Sequence, residues 1–259
     1  MSAFLAIAYR DLLKFLRDPL RIAGTLIFPI IFIVLLGGTL EAGFGGEQKA
    51  NYNLLYFVYT GVLAQTVFQS SALGIISLIE DRENDFSQEV FVSPISRYTI
   101  VIGKILGETL VSLVQGVAIL AIAPLIGVPL SLGQVALLVP VLALVCLMAG
   151  AFGVVVLANI GSQRAAQQVF PFIFLPQFFL AGVFIPLGND LPLFLKVLSL
   201  ASPMRYAVDL ARNVYYAGNP EYADVVLRSP QFNLTVIFLL FAVFLVVGTT
   251  LFVRKESNR

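Results

Sequence analysis

Residues 54–79 read LLYFVYTGVLAQTVFQSSALGIISLI, a run without one charged side chain. A helix rises about 1.5 Å per residue, so a run this long crosses the roughly 30 Å hydrocarbon core of a bilayer. Few features restrict a fold as severely, because in lipid each backbone N–H and C=O must find its partner inside the protein. Five further segments meet the same requirement: about 22–40, 101–126, 134–158, 168–187 and 232–253. The chain is 12% charged, against about 25% in a soluble domain. Its mean hydropathy of +0.93 agrees. The predicted class is an all-α membrane protein with six transmembrane helices in a single domain spanning 1–259. No soluble domain intervenes and no internal repeat is visible.

The composition also removes whole classes of chemistry. There is no histidine, which excludes Ser-His-Asp and Cys-His catalysis and histidine-ligated metal sites. The one cysteine, Cys146, lies inside an apolar run, so there is no disulfide framework or cysteine metal site. No GxxxxGK[ST] phosphate loop occurs. A net charge of +1 points to no nucleic-acid partner. The first long apolar run starts after residue 21, so the N-terminus does not read as a cleavable signal.

Orientation follows from Lys and Arg. With the N-terminus inside, eleven of the sixteen basic residues fall on cytoplasmic segments and five outside. Four of those five lie in one long segment, and short loops decide topology. Both termini and the loop at 80–97 are therefore predicted to be cytoplasmic. Residues 1–21 form an element of their own. Arg10, Lys14, Arg17 and Arg21 recur along one stripe, with Leu5, Ala8, Leu12 and Leu16 opposite. A basic amphipathic helix of this kind lies in the membrane interface; the alternative is an ordinary solvated helix.

The fifth segment carries Pro171, Pro176 and Pro186. Internal prolines remove backbone hydrogen bonds, and in membranes neighbouring helices satisfy the freed carbonyls. Pro29 and Pro140 predict milder bends. Residues 188–231 read as an external re-entrant region, since LPLFLKVLSLA is too short to span. In the following SPMRYAVDLARNVYYAG, Ser202 suits an N-cap, Pro203 the first helical position and Gly218 the end. Arg205, Asp209, Arg212 and Tyr216 share one face, with Tyr206 beside them. This is either an ion-pair chain on a solvated face or a substrate-contacting surface.

The spans hold almost no ionisable group. Glu108 is the main exception, one turn after Lys104, where it either pairs with that lysine or acts on its own. Energy for uphill transport must then enter from outside the spans. The best contact is EDRENDFSQEVFVSPISR, residues 80–97, where Glu80, Asp81, Glu83, Asp85 and Glu89 crowd together. Residues 80–92 read as a short helix with Phe86 and Val90 as an apolar ridge among the acids and Arg82. Ser93-Pro94 breaks it and suits the start of a following helix. An apolar ridge with a charged rim has the form of a docking surface, and the alternative is a solvated acidic loop.

The sequence resembles the permease subunit of ABC-2 type ATP-binding-cassette exporters. In the loop, Arg82-Glu83, Glu89, Ser93-Pro94 and Ser96-Arg97 match that family's pattern. Its Gly-Thr is absent, with Asp85-Phe86 near its place. QFFLAGVFIPL at 177–187 and LSLASPMRYAVDLAR at 198–212 resemble its fifth span and re-entrant hairpin, and the N-terminal amphipathic helix is the third likeness. The resemblance implies two permease chains, as a homodimer or with a close paralogue, and two cytoplasmic ABC ATPase subunits. It implies that Arg82, Glu83, Phe86, Glu89, Val90, Ser93, Pro94 and Arg97 belong to an ATPase-coupling segment. It places Pro203, Arg205, Tyr206, Asp209 and Arg212 in the external hairpin. No cofactor would sit in this chain; ATP and magnesium would bind the partner. The chain would be a transport subunit without its own ATPase site, multi-pass in a plasma membrane such as the bacterial inner membrane. Its substrate would be a drug, lipid or glycan. The other readings are a stand-alone secondary transporter or channel, and a structural subunit of a membrane complex.

Overall fold

The computed structural model describes residues 3–39, 43, 51–83, 96–187 and 191–257. Among them every regular element is a helix. In chain order these are α1 (Ala3–Leu16), α2 (Pro19–Phe32), α3 (Leu54–Gly74), α4 (Ser77–Glu83) and α5 (Arg97–Ile122). They continue as α6 (Leu132–Ala158), α7 (Gln163–Leu180), α8 (Leu193–Ala201), α9 (Pro203–Tyr215), α10 (Tyr222–Val225) and α11 (Pro230–Ser257). Five stretches are long and apolar enough to cross a membrane: Pro19–Gly37, Leu54–Asp81, Arg97–Ile126, Leu132–Ala158 and Tyr222–Lys255. They coincide with five of the six predicted spans.

The helix starts are set by polar caps, which accept otherwise orphaned N–H groups. Asp18 accepts from Arg21 N at 2.9 Å, with Pro19 at the first position of α2. Asn53 accepts from Tyr56 N at 3.0 Å to open α3. Ser96 accepts from Thr99 N at 3.2 Å and opens α5. Ser131 and Gln134 form a reciprocal capping box on α6. Four residues after Pro29, α2 widens into a π-helical turn, Ile33–Gly37. Pro140 lies inside an uninterrupted α6.

The sixth predicted span, 168–187, overlaps α7 with shifted ends. Ser162 accepts from Ala165 N at 3.3 Å, so the helix starts at Gln163. It ends at Leu180, and Gly182 turns the chain with a φ of 67°. Gln163, Arg164, Gln167 and Gln168 make its first two turns polar, which keeps α7 off the list of five.

The innermost helix is α3: 72% of its apolar stretch is buried, against 17% for both α2 and α11. It packs on α5 and α6. Between membrane helices there is no hydrophobic force to drive contact, so close approach rests on small residues. A Cβ on Gly153 of α6 would stand 2.5 Å from the Ala72 carbonyl oxygen of α3. Gly103 and Gly107 of α5 seat α1 in the same way; a Cβ on Gly107 would lie 3.2 Å from Ala8 Cα. Nearby, Ser71 Oγ donates to the Cys146 carbonyl at 2.7 Å. Cys146 is fully buried.

The seating of α1 shows which of its residues turn toward the bundle. Ala8, Asp11 and Phe15 are the buried residues, while Leu5 and Leu16 are about half exposed at 47% and 49%. The inward face therefore carries an acid, and two of the four leucine-stripe residues point outward. Pro203 does occupy the first position of α9, and Gly218 adopts a φ of 79° just past its end. Ser202 holds the N-cap position without capping; its Oγ bonds Gln177 Oε1 at 3.4 Å.

Gly153→Ala is expected to lower stability by about 1–3 kcal/mol, the usual cost of overpacking. Gly24→Ala, with no atom within 4 Å of the new Cβ, should leave the midpoint unchanged. Thermal unfolding of both purified variants in one detergent checks this.

Candidate functional site

Three helices meet at a buried charge cluster. Lys104 of α5 lies 2.9 Å from Asp11 Oδ2 of α1 and donates to Asp81 Oδ2 of α4 at 2.8 Å. Arg10 donates to Asp81 Oδ2 at 2.7 Å and to Asp11 Oδ1 at 2.9 Å. The Lys104 and Asp11 side chains are only 3% and 6% exposed. Burial acts to lower the Arg10 pKa, but Asp11 and Asp81 outweigh it, and the net shift is upward. Two acids thus neutralise two bases where water is scarce. Glu108 is not the partner of Lys104; it accepts from Ser77 Oγ at 3.2 Å and packs where Gly74 leaves room.

Above the cluster α2, α3 and α7 line an open-sided cavity of about 590 Å³, within the usual range for small-molecule sites. Along α3 it runs from Val62 to Gly74, about 18 Å of helix. Arg21 and Gly24 line one end, and Phe32, Phe178 and Phe184 the other. Between them stand Gln65, Thr66, Gln69 and Ser70 of α3 and Gln115 of α5. The Oε1 atoms of Gln65 and Gln115 are buried without a hydrogen-bond partner. Ser112 and Ser70 bond at 3.0 Å and hold α5 to α3 beside them.

The residues expected in an external hairpin form a third cluster, and its charges do not pair with one another. Arg212 is 2% exposed and donates to the carbonyl oxygens of Gly182 at 2.8 Å and of Phe57 and Val183 at 3.3 Å. Its guanidinium lies 3.6 Å from the centre of the Phe57 ring. Burial pulls the Arg212 pKa down to about 10, so it is charged at neutral pH. Asp209 accepts from Leu227 N at 2.8 Å, Arg228 N at 2.9 Å and Asn233 Nδ2 at 2.7 Å. Arg205 donates to Ser199 Oγ at 2.7 Å, and Tyr206 Oη to the Leu200 carbonyl at 2.7 Å. The predicted ion-pair chain on a solvated face is therefore replaced by separate anchors on backbone groups and neutral side chains. None of Pro203, Arg205, Tyr206, Asp209 and Arg212 lines the cavity.

Comparison with known proteins adds the family. Residues 2–216 match the model of the ABC-2 type transporter. The chain belongs to the ABC-2 type transporter family. A putative transport permease, ycf38, of Cyanophora paradoxa is 23% identical over 241 residues, covering 91% of this chain and 82% of the relative. The ycf38 permease of Porphyra purpurea is 22% identical over 225 residues, covering 86% and 77%. The probable multidrug ABC transporter permease YbhR of Escherichia coli is 26% identical over 168 residues, covering 64% of this chain and 45% of that protein. ABC-2 permeases are multi-pass transport subunits that normally work with an ABC ATPase.

In this ABC-2 permease the loop residues are only partly described. Arg82 and Glu83 close α4, which gives the predicted helix its first turn, and Arg97 begins α5. Phe86, Glu89, Val90, Ser93 and Pro94 lie outside the described residues. The sequence reading missed Asp11, whose single acid on a basic helix was the available signal. It also missed the in-span amides, because a search for ionisable groups passes over glutamine.

Lys104→Met in the permease leaves the buried Asp11 Oδ2 without its cation, with Arg10 holding only Oδ1, and is expected to cost up to about 3–5 kcal/mol, the range for a broken buried pair. Arg10→Ala should cost less, since Arg10 and Asp81 are 26% and 24% exposed. Thermal midpoints of the two purified variants rank these effects.

Proposed function

We propose that this chain forms the membrane path of an ATP-driven exporter for a hydrophobic or amphiphilic substrate. It acts with a second permease chain and with separate ATPase subunits docked on a cytoplasmic 80–97 loop, in a plasma membrane. The observation that carries this is the route from loop to cavity. The loop begins in α4. Asp81 of α4 is tied to α1 and α5 through Arg10 and Lys104. About two turns before α4 begins, α3 presents Ser70, Gln69 and Gln65 as the polar wall of the cavity. A displacement of the loop therefore moves a cavity wall rather than a slack connection.

Further features support the assembly. Leu20, Ile27, Phe28, Ile31 and Leu35 of the α2 stretch are exposed, as are Phe172, Leu175 and Phe179 of α7. Both helices flank the cavity, so a second chain laid on them would close it, with lipid covering the rest. A pair of identical chains is the simplest closed arrangement.

The test is reconstitution with the ATPase subunit and measurement of ATP-driven flux. Glu83→Lys with Glu89→Lys is expected to reduce both copurification of the ATPase and flux by about tenfold or more, as lost complementary charge does at an interface. Unchanged assembly and flux would remove the docking role of the loop. A second reading, ion-driven transport without ATP, has one residue in its favour: Glu108, 3% exposed within a span with Ser77 as its hydrogen-bond partner. It requires flux in liposomes under an ion gradient alone, and loss of that flux in Glu108→Gln.

A further inference from the structure

The middle of the cavity contains two of the buried polar side chains that the described fold leaves without a full set of partners. Gln65 and Gln115 are 4% and 2% exposed, and the Oε1 of each has no partner. Gln65 reaches only Gln69 Oε1, through its Nε2, at a long 3.5 Å. Buried polar atoms without a partner are rare, and leaving one unmade costs more than making it gains. These amides are also not scattered. Gln65 and Gln69 are one turn apart on α3, and Gln115 faces the same space from α5.

The surroundings narrow what can satisfy them. A carbonyl oxygen needs a donor. No carboxylate lines the cavity among the described residues, and its one charged lining group is Arg21, at one end. A cationic head would therefore meet a like charge and no counter-ion. An anionic head would be drawn to Arg21 and would leave the amide oxygens unpartnered. An uncharged head with hydroxyl groups donates to the oxygens and accepts from the amide N–H. Beyond the amides, Phe32, Phe178 and Phe184 continue the cavity as an apolar wall, which suits a hydrocarbon tail.

The geometry points to a ligand subsite for a neutral, hydroxyl-rich amphiphile. Its head lies against Gln65, Gln69 and Gln115, and its tail runs toward the phenylalanines. This rests on the reading of the cavity as the substrate path, and names the class of substrate that path takes.

The test is equilibrium binding to the full chain in lipid nanodiscs, corrected for partition into empty discs. The probes are radiolabelled dodecyl β-D-glucoside and dodecyltrimethylammonium, which share a tail. Gln65→Met and Gln115→Met keep side-chain length and remove the amide. Gly24→Trp fills the cavity from a position with open space around it. The glucoside is expected to bind saturably, about tenfold more weakly in each Met variant, and not at all in Gly24→Trp. The ammonium probe is expected not to saturate. Equal glucoside affinity in the wild type and both Met variants overturns the proposal, as does saturable ammonium binding that only Gly24→Trp removes. A changed oligomeric state in the Met variants also overturns it, by assigning the amides to a second copy. ATP-driven flux is measured separately. Flux without glucoside binding keeps the permease and removes this subsite; glucoside binding without flux keeps the subsite and removes the ATP-driven reading.

Discussion

Lys104 sits where its charge reaches almost no water, between two acids from two other helices. That contact fixes how α1, α4 and α5 sit together. An ammonium so enclosed is tolerable only while both carboxylates stay in place. So α1 must lie along α5 with Asp11 inward, and α4 must turn off the end of α3 with Asp81 inward. Gly103 and Gly107 let the α1 backbone come close enough for this. Geometry and charge agree here, since the groove of small residues and the buried lysine lie on the same stretch of α5.

The other end of the molecule follows the same physical logic with different partners. Arg212 meets the Gly182 carbonyl oxygen just past the end of α7, where the helix dipole favours a cation, and the Phe57 carbonyl oxygen in the first turn of α3. Asp209 gathers backbone N–H groups that lead into α11. Each buried charge holds a turn that would otherwise expose polar backbone within an apolar chain. Both ends of the bundle are thus pinned by charges on short, specific bonds. The space between them is enclosed by helices that touch mainly through small and apolar side chains.

The sequence made the spanning elements legible for a simple reason: length and hydropathy measure what a bilayer demands. The starts of α3 and α6 fall within two residues of the predicted segments 54–79 and 134–158. The α1 face was not legible, because in lipid an apolar side chain is equally at home against hydrocarbon or protein. Leu5 and Leu16 therefore carried no information about which side faces inward, whereas Asp11 did. The Arg205–Asp209–Arg212 face was correctly placed on one helix, but spacing cannot reveal that carbonyls of Gly182 and Phe57 outcompete the neighbouring acid. The end of α7 depended on Gly182, one residue inside an apolar stretch that hydropathy reads as continuous.

The separation of charges from amides matters for any cargo that must be released as well as bound. A hydrogen bond to a charged group contributes about 1.5–3 kcal/mol and one between neutral groups about 0.5–1.5 kcal/mol. A path lined by Lys104 or Arg212 would hold a polar head more strongly and demand a counter-charge from it. Here those groups are occupied by Asp11, Asp81 and backbone carbonyls, and apart from Arg21 at one end the cavity is left with neutral polar groups. Since α3 carries Gln65 and Gln69 and leads directly into α4, a shift of α4 changes the distance from these amides to Gln115. Weak contacts shared between two walls are undone by a small relative movement of those walls. An arrangement of this kind couples a rigid ionic joint to a soft polar surface within one helix.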